Sequence, residues 1–252
     1  MEKDSMMERR FADLAESADR KNQYTFTAFL NEAELAEFLA MRDKLPPCGY
    51  TVWGGHPNAD RTMIRFGSEE VFGYVQDFPI VCVRIEPLQQ KFAEVLTHRD
   101  FLGTIMHLGI KRSEIGDIMT RESTAYVFCT ETIGAYLCRS LERIRHTSVR
   151  AVLTEDFPAT FMHVTESGEV QVASQRADGV ISKIYRLSRS ACQQLFCAGK
   201  IFINGRCTEN TGQHLKEDDK VSVRGYGKFR FIGIKGQTRK GNLIVQYERF
   251  SG

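Results

Sequence analysis

The side chains best suited to bind a ligand are basic and lie close together after residue 175. Arg176, Lys183, Arg186 and Arg189 fall in one short stretch of the chain. The arginine guanidinium is a planar fork of N–H donors that matches phosphate oxygens and stacks on bases. Lys183 lies three residues before Arg186, so one helical face could present both. The spacing therefore predicts a site for a phosphate-bearing ligand.

Two short helices are predicted to position these side chains, at 178–187 and 189–198. Their junction would bring Arg186 and Arg189 close to the N-terminus of the second helix. Backbone N–H groups and the helix dipole already favour an anion there. Ser188 has the side chain of an N-cap and is predicted to begin that helix.

Further candidate contacts continue to the end of the chain. Between residues 224 and 231, basic residues alternate with glycine and aromatic residues, an arrangement in which rings stack on bases. Core packing is at least as good a reading for Phe229 and Phe231. Asp178 is expected to cap a helix or pair with a basic group rather than contact a ligand. The further predicted contacts are Ser190, Lys200, Arg224, Lys228, Arg230, Lys235, Arg239 and Lys240.

Charge is divided unevenly along the 252 residues. The whole chain has a net charge of +2, but residues 176–252 hold 15 Lys and Arg against 6 Asp and Glu, a net of +9. The first 175 residues therefore have a net charge of −7. This asymmetry predicts that the C-terminal end meets a polyanion, with a merely solvated basic surface as the alternative.

The composition excludes several classes of protein. Apolar residues make up 42% and charged residues 26%, as in ordinary globular proteins. No run of residues has the ~18–20 consecutive apolar positions of a membrane span, so no membrane partner is expected. The N-terminus lacks the apolar stretch of an export signal, which makes the cytoplasm the expected location.

The seven cysteines are expected to be small buried hydrophobes and not a disulfide framework. A zinc site built from Cys192, Cys197, Cys207 and His214 is disfavoured. Cys192 and Cys197 would point about 140° apart on a helix, and structural zinc sites use closer ligand pairs. No metal, cofactor or small-molecule substrate is expected.

An α+β protein of three regions is predicted. Residues 1–77 form a small α/β region, 78–174 a ferredoxin-like domain with connecting strands at 157–174, and 175–252 a basic C-terminal domain. In the first region, helices are expected at 6–20 and 31–42, with Asn31 as an N-cap.

The middle region is predicted to alternate strands and helices in the order strand, helix, strand, strand, helix, strand. That order is typical of ferredoxin-like folds. The predicted strands are 80–85, 115–119, 125–129 and 149–153, and the predicted helices are 88–97, 100–108 and 131–144.

Residues 176–230 resemble the S4 RNA-binding domain. The similarity lies in Arg176-Ala177-Asp178, the helix junction 186–190, the strand and turn 201–206, and the late strand around Asp218–Val221. The resemblance implies an αL-type domain that binds structured RNA, either rRNA or tRNA, through the basic residues already named.

Residues in the first half of the chain make the resemblance more specific, because they resemble one family of S4 proteins. Residues 98–103 and 109–118 look like the distinctive block of the YlmH-type S4 proteins. Gly54-Gly55 followed by Ala59-Asp60-Arg61 is similar to their Gly-Gly-Tyr segment, although His56 stands where tyrosine is usual. Candidate second contacts with RNA are Arg61, Lys111 and Arg112.

The YlmH-type resemblance implies a three-part RNA-binding factor that is not an enzyme. Its partner would be the ribosome, above all the large subunit, in quality control of stalled peptidyl-tRNA complexes or in subunit maturation. The alternative is a protein-interaction adaptor, linked to cell division, with auxiliary RNA binding. A pseudouridine synthase is a minor alternative, because neither Asp100 nor Asp178 has the expected Arg-Leu-Asp setting.

Overall fold

A computed structural model describes residues 6–158, 161 and 165–250. The chain divides into two compact units, Met1–Met162 and His163–Gly252. The described elements combine helices with antiparallel sheets. The predicted α+β class is confirmed at this level.

The first unit begins with two helices packed on a small sheet. The buried residues Phe11, Phe38 and Phe66 join helices and sheet in one core. The strand order is β1-β3-β2, and both pairings are antiparallel. The elements are α1 (Met6–Lys21), β1 (Thr25–Phe26), α2 (Glu32–Met41), β2 (Tyr50–Trp53), β3 (Met63–Phe66) and α3 (Glu69–Phe72).

Asn31 caps α2, as its residue type predicted. Its side-chain oxygen accepts hydrogen bonds from the amides of Ala33 and Glu34, at 2.9 and 3.0 Å. The Glu34 carboxylate accepts in return from the Asn31 amide at 2.7 Å. This reciprocal capping box satisfies donors that the first helical turn leaves without partners.

A second sheet in the first unit has the strand order β5-β6-β4-β8-β7, with antiparallel neighbours. Its core includes Val83, Ile85 and Val127 from strands, and Phe101 and Leu137 from helices. The elements are β4 (Ile80–Pro87), α4 (His98–His107), β5 (Ile115–Arg121), β6 (Thr124–Thr130), α5 (Glu131–Ser140), β7 (Arg143–Ile144) and β8 (Thr147–Thr154).

The predicted helix at 88–97 is wrong. Only a single 3₁₀ turn forms there, at Gln90–Phe92. Leu88, Phe92 and Val95 are 61%, 76% and 78% exposed. Short helices owe their stability to a packed apolar face, and this segment buries none.

The second unit contains two helices and one six-stranded sheet of order β11-β10-β12-β13-β14-β9. Its core joins the helices to the sheet through buried residues such as Ile181, Phe196, Val221 and Phe229. The elements are β9 (Thr165–Val172), α6 (Ala177–Ile184), α7 (Arg189–Cys197), β10 (Ile201–Ile203), β11 (Arg206–Cys207), β12 (Lys220–Val223), β13 (Gly227–Gln237) and β14 (Leu243–Phe250).

The predicted boundary between the middle and C-terminal regions, at 174/175, differs from the structural division at 162/163. Strand β9 pairs along its whole length with β14, so it belongs to the second unit and does not extend the middle sheet. Its partners lie more than 70 residues later in the chain, which local sequence patterns do not reveal. Of the predicted connecting segment 157–174, residues 159, 160 and 162–164 lie outside the described residues.

The Gly-rich basic tail is a long hairpin formed by β13 and β14. Two register shifts, between Phe231 and Gly233 and between Ile234 and Gly236, bend its pairing. Phe229 and Phe231 are buried in the core of the second unit. Of the two readings of these rings, core packing is therefore the one that the structure supports.

None of the described helices is long and apolar enough to cross a membrane. Within the same described ranges, no cluster of three or more His, Cys, Asp or Glu side chains could hold a metal ion. All seven cysteines are free, and Cys197 and Cys207 are exposed, contrary to the expectation that all are buried.

Candidate nucleic-acid interface

A groove of about 850 Å³ lies beside α6 and α7 in the second unit. Arg176, Lys183, Arg186 and Arg189 all line it. The end of β9 and the segment around Thr211 form the rest of its walls. The fold thus brings together the four basic residues whose spacing first indicated a phosphate site.

Arg176 is held in place at the N-cap position of α6. Its Nε and Nη2 donate to the two carboxylate oxygens of Asp178, at 3.1 and 2.9 Å. Asp178 also accepts from the Gly179 amide at 2.8 Å. The hydrogen bonds from Arg176 keep the pKa of Asp178 below its usual value. The expectation that Asp178 pairs with a basic group is confirmed, and the guanidinium keeps other N–H donors for a ligand.

Arg186 occupies the sharp turn between the helices with a φ of 54°, in the left-handed region. The turn is closed by a hydrogen bond from the Leu187 amide to the Ser182 carbonyl, at 2.8 Å. An L-residue in this conformation costs about 1–2 kcal/mol, and glycine or asparagine usually fills it.

Ser188 begins α7 as predicted. Its hydroxyl accepts from the Ala191 amide at 3.1 Å and lies 3.1 Å from the Ser190 hydroxyl. Arg189 is the first residue of this helix and lines the groove. The cap therefore fixes the position from which Arg189 extends.

The strand-borne candidates do not line the groove. Lys200 is exposed just before β10, and its carbonyl accepts from the Arg224 amide at 2.9 Å. The Arg224 guanidinium lies 4.4 Å above the ring centroid of Phe202. Lys228 stands 6.0 Å from the ring centroid of Phe250. These residues form a second group, in or next to the strands of the sheet.

Arg230 and Lys235 already have acidic partners. Arg230 Nη2 is 2.6 Å from the Glu248 carboxylate, and Lys235 Nζ is 2.7 Å from that of Glu169. The exposed residues Arg239 and Lys240 lie at the turn that joins β13 to β14. They form a third group, outside the groove lining.

Arg61 and Arg112, in the first unit, are engaged with the backbone. Arg61 Nε donates to the Ile115 carbonyl at 3.0 Å, and its Nη2 donates to the Phe29 carbonyl at 3.0 Å. Arg112 Nη1 donates to the carbonyls of Ile115 and Gly116. Burial, and then the nearby Arg61, lower the pKa of Arg112 to about 10. These contacts favour a structural role, and of the three second-contact candidates Lys111 alone is exposed.

Asp117 ties the 54–61 loop to the second sheet. It accepts from the amides of Asp60 and Arg61 at 2.7 and 3.1 Å, and from His56 Nε2 at 3.0 Å. Burial would raise the pKa of Asp117, but these hydrogen bonds outweigh it and keep the pKa below its usual value. The His56–Asp117 pair was not predicted, because 61 residues separate its members.

Comparisons with known proteins found one family model and several similar proteins. The model described as "Putative RNA-binding domain in YlmH" matches residues 74–157. "Ribosome-associated protein quality control protein P2" of Bacillus subtilis is 26% identical over 250 residues, covering 96% of this chain and 95% of that protein. The solved structure "Cell division protein ylmH from Streptococcus pneumoniae" covers 64% of this chain and 96% of its own, at 16% identity and a TM-score of 0.47.

The fold and the groove define an α+β protein with a basic C-terminal unit. The family match covers β4 to β8 of the first unit, and the similarity to the Bacillus subtilis protein extends over both units. The chain is therefore similar to YlmH-type proteins.

Proposed function

We propose that this protein is a non-enzymatic RNA-binding factor that holds structured rRNA or tRNA in the groove beside α6 and α7. The observation that carries the proposal is the convergence of Arg176, Lys183, Arg186 and Arg189 on that groove. Phosphates of a duplex backbone suit such a face, because double-stranded RNA is recognised mainly by shape and backbone.

The finer domain assignments are part of this proposal. The order of strands β5-β6-β4-β8 and their connections through α4 and α5 support a ferredoxin-like assignment for this part of the first unit. The helix pair α6–α7 followed by β10 supports an S4-type assignment for the second unit. In this assignment the hairpin β13–β14 and strand β9 extend the S4-type unit.

The ribosomal large subunit is the partner that we propose. Support comes from the name of the Bacillus subtilis relative, which describes a ribosome-associated protein of quality control, and from the length of the similarity. The step we propose is quality control of stalled peptidyl-tRNA complexes, with subunit maturation as the nearest other ribosomal role.

Sedimentation of cell lysate through a sucrose gradient at near-physiological salt tests this function. Wild type is expected to migrate with large-subunit particles, and Arg186→Ala/Arg189→Ala to stay near the top. Loss of two phosphate contacts also lowers the salt slope of binding by roughly 1.5–2. The matched control is Arg9→Ala/Arg10→Ala, which removes the same charge from exposed positions of α1 in the first unit.

The control is expected to migrate like wild type, and circular dichroism checks that both variants fold. A wild-type protein that stays at the top of the gradient contradicts the ribosomal partner. A groove variant that still migrates with the particles contradicts the groove as the attachment site.

A protein-interaction adaptor is the second candidate, favoured by the exposed apolar segment 88–95. Leu88, Phe92 and Val95 all present apolar side chains to solvent there. Residues 74–157 also lack a basic excess, with 10 Lys and Arg against 11 Asp and Glu. The same sucrose gradient distinguishes the two candidates. If the Phe92→Ser/Val95→Ser variant no longer migrates with the particles while the Arg186→Ala/Arg189→Ala variant still does, attachment is through a protein and the adaptor function is favoured.

A further inference from the structure

We infer that the open face of the C-terminal sheet, opposite α6 and α7, binds unpaired nucleotides of RNA by stacking them on Phe202 and Phe250. This inference deepens the proposed function and rests on it. It adds a second surface with a different preference, for single strands, whereas the helix groove is suited to duplex backbone.

Side chains alternate between the two faces of a strand. Val221 and Val223 of β12 and Phe229 and Phe231 of β13 belong to the core beneath the helices. The residues between them must therefore point away from α6 and α7. None of the described residues on that outer face is fully buried.

The pairing register places a row of side chains across this outer face. Phe202 lies opposite Ser222, Ser222 opposite Lys228, and Lys228 opposite Phe250. Two strands separate the rings, so at ~4.8 Å per strand they are about 14 Å apart. That separation allows each ring to stack on a different base of the same strand.

Each ring already has a cation beside it. Arg224 lies 4.4 Å from the centroid of Phe202, and Lys228 lies 6.0 Å from that of Phe250. A guanidinium that lies on a ring offers its other face to a base, so Arg224 extends the stack without blocking it. Base–aromatic stacking with basic groups along the backbone is how single strands are bound without sequence preference.

The charge around the row is complementary to phosphate. Lys220 and Arg224 flank it on β12 and at the end of that strand. Two acidic side chains, Glu248 and Asp218, lie 2.6 and 3.9 Å from the Arg230 guanidinium. The row thus joins two rings and several cations on a part of the molecule that the groove residues do not reach.

Fluorescence anisotropy with the full chain and two labelled RNAs tests the inference. The probes are a single-stranded U12 oligonucleotide and a blunt 16-base-pair RNA duplex. Phe202→Leu/Phe250→Leu keeps apolar bulk but removes both rings, and is expected to weaken U12 binding about 10- to 100-fold. Duplex binding is expected to stay within about twofold, because the groove is intact.

Arg224→Gln is a second variant, at an exposed side chain whose loss leaves the core unchanged, and it is expected to weaken U12 binding about fivefold. The converse variant, Arg186→Ala/Arg189→Ala, should weaken duplex binding more than U12 binding. In a crosslinking readout, 5-iodouridine in U12 is expected to attach to peptides that contain Phe202 or Phe250.

The outcomes separate the two proposals. If wild type binds the duplex but not U12, or if the ring variants bind U12 like wild type, the stacking surface is wrong and the RNA-binding function stands. If wild type binds neither RNA, the proposed function itself fails for these probes.

Discussion

The two units use their arginines in opposite ways. In the first unit, Arg61 and Arg112 donate to main-chain carbonyls, so their N–H groups hold the loop to the sheet. In the second unit, Arg186 and Arg189 line an open groove. Capacity to bind phosphate therefore depends less on the number of basic residues than on whether their donors are already in use.

Net charge gives the same contrast. The segment matched by the family model, 74–157, has a net charge of −1, whereas 176–252 has a net charge of +9. Arg145 and Arg150 in the matched segment lie beside Glu94 and Glu86. Substitution of a single charged residue is therefore expected to change mainly the free energy of unfolding in the first unit and mainly RNA affinity in the second.

Arg61→Ala is expected to have the largest effect and to act on stability alone. Loss of its hydrogen bonds leaves the carbonyls of Phe29 and Arg112 without a charged donor and removes one of two such donors from the Ile115 carbonyl. The expected cost is about 3 kcal/mol in the free energy of unfolding. Trp53, the single tryptophan, reports urea unfolding of the first unit by fluorescence.

Arg61→Lys is expected to recover less than half of that loss, because an ammonium group does not reproduce the planar fork. Duplex RNA binding by the folded protein should be unchanged. A loss of stability below about 0.5 kcal/mol for Arg61→Ala would contradict a structural role for Arg61.

Asp117→Asn is expected to lower the free energy of unfolding by about 2 kcal/mol. The reason is that a side-chain amide cannot accept hydrogen bonds from His56 and from two backbone amides as a carboxylate does. The folded-state pKa of Asp117 lies below its usual value. Its contribution to stability is therefore complete above the unfolded pKa of about 4 and is lost as the pH falls through the folded pKa.

Urea unfolding followed through Trp53 at pH values from 7 to 3 measures this dependence. The wild-type free energy of unfolding should fall over the acidic end of that range, and the fall should be smaller for Asp117→Asn. Parallel curves for the two proteins would show that another group is responsible.

Arg186→Gly is expected to separate binding from stability within the second unit. Glycine adopts a positive φ without strain, so the free energy of unfolding should stay within about 0.5 kcal/mol of wild type or increase. Affinity for duplex RNA should fall about fivefold, and anisotropy titration measures it. A destabilised Arg186→Gly variant would mean that the arginine side chain supports the fold.

Lys235→Ala is expected to have the smallest effect, less than twofold on RNA affinity. Lys235 lies 2.7 Å from Glu169, so its charge is already offset within the protein. Anisotropy with the same duplex provides the measurement. Lys183→Ala is the matched comparison, because it removes the same kind of side chain from the groove lining. A larger loss of RNA affinity for Lys235→Ala than for Lys183→Ala would contradict the view that a lysine already paired with a carboxylate contributes little to binding.

Local features were predictable from the sequence. The helices at 6–21 and 32–41, the Asn31 and Ser188 caps, and the α6–α7 pair depend on contacts within a few residues. The helix predicted at 88–97 failed because periodicity alone does not show whether an apolar face finds a partner.

The long-range pairings were not predictable. Strands β9 and β14 pair across more than 70 residues, and the glycines of β13 hide its strand pattern. For the site, spacing indicated which residues share the groove. It did not show that Arg224 and Lys228 lie on the opposite face of the sheet, beside Phe202 and Phe250.

The sequence by itself determined where the charge lies, which helices carry it and how those helices begin, because these properties depend on composition and near neighbours. The tertiary structure decided which cations remain available. A guanidinium becomes structural only when the fold brings distant carbonyls to it, as Phe29 and Ile115 come to Arg61. That encounter depends on the packing of the whole unit, which no local pattern specifies.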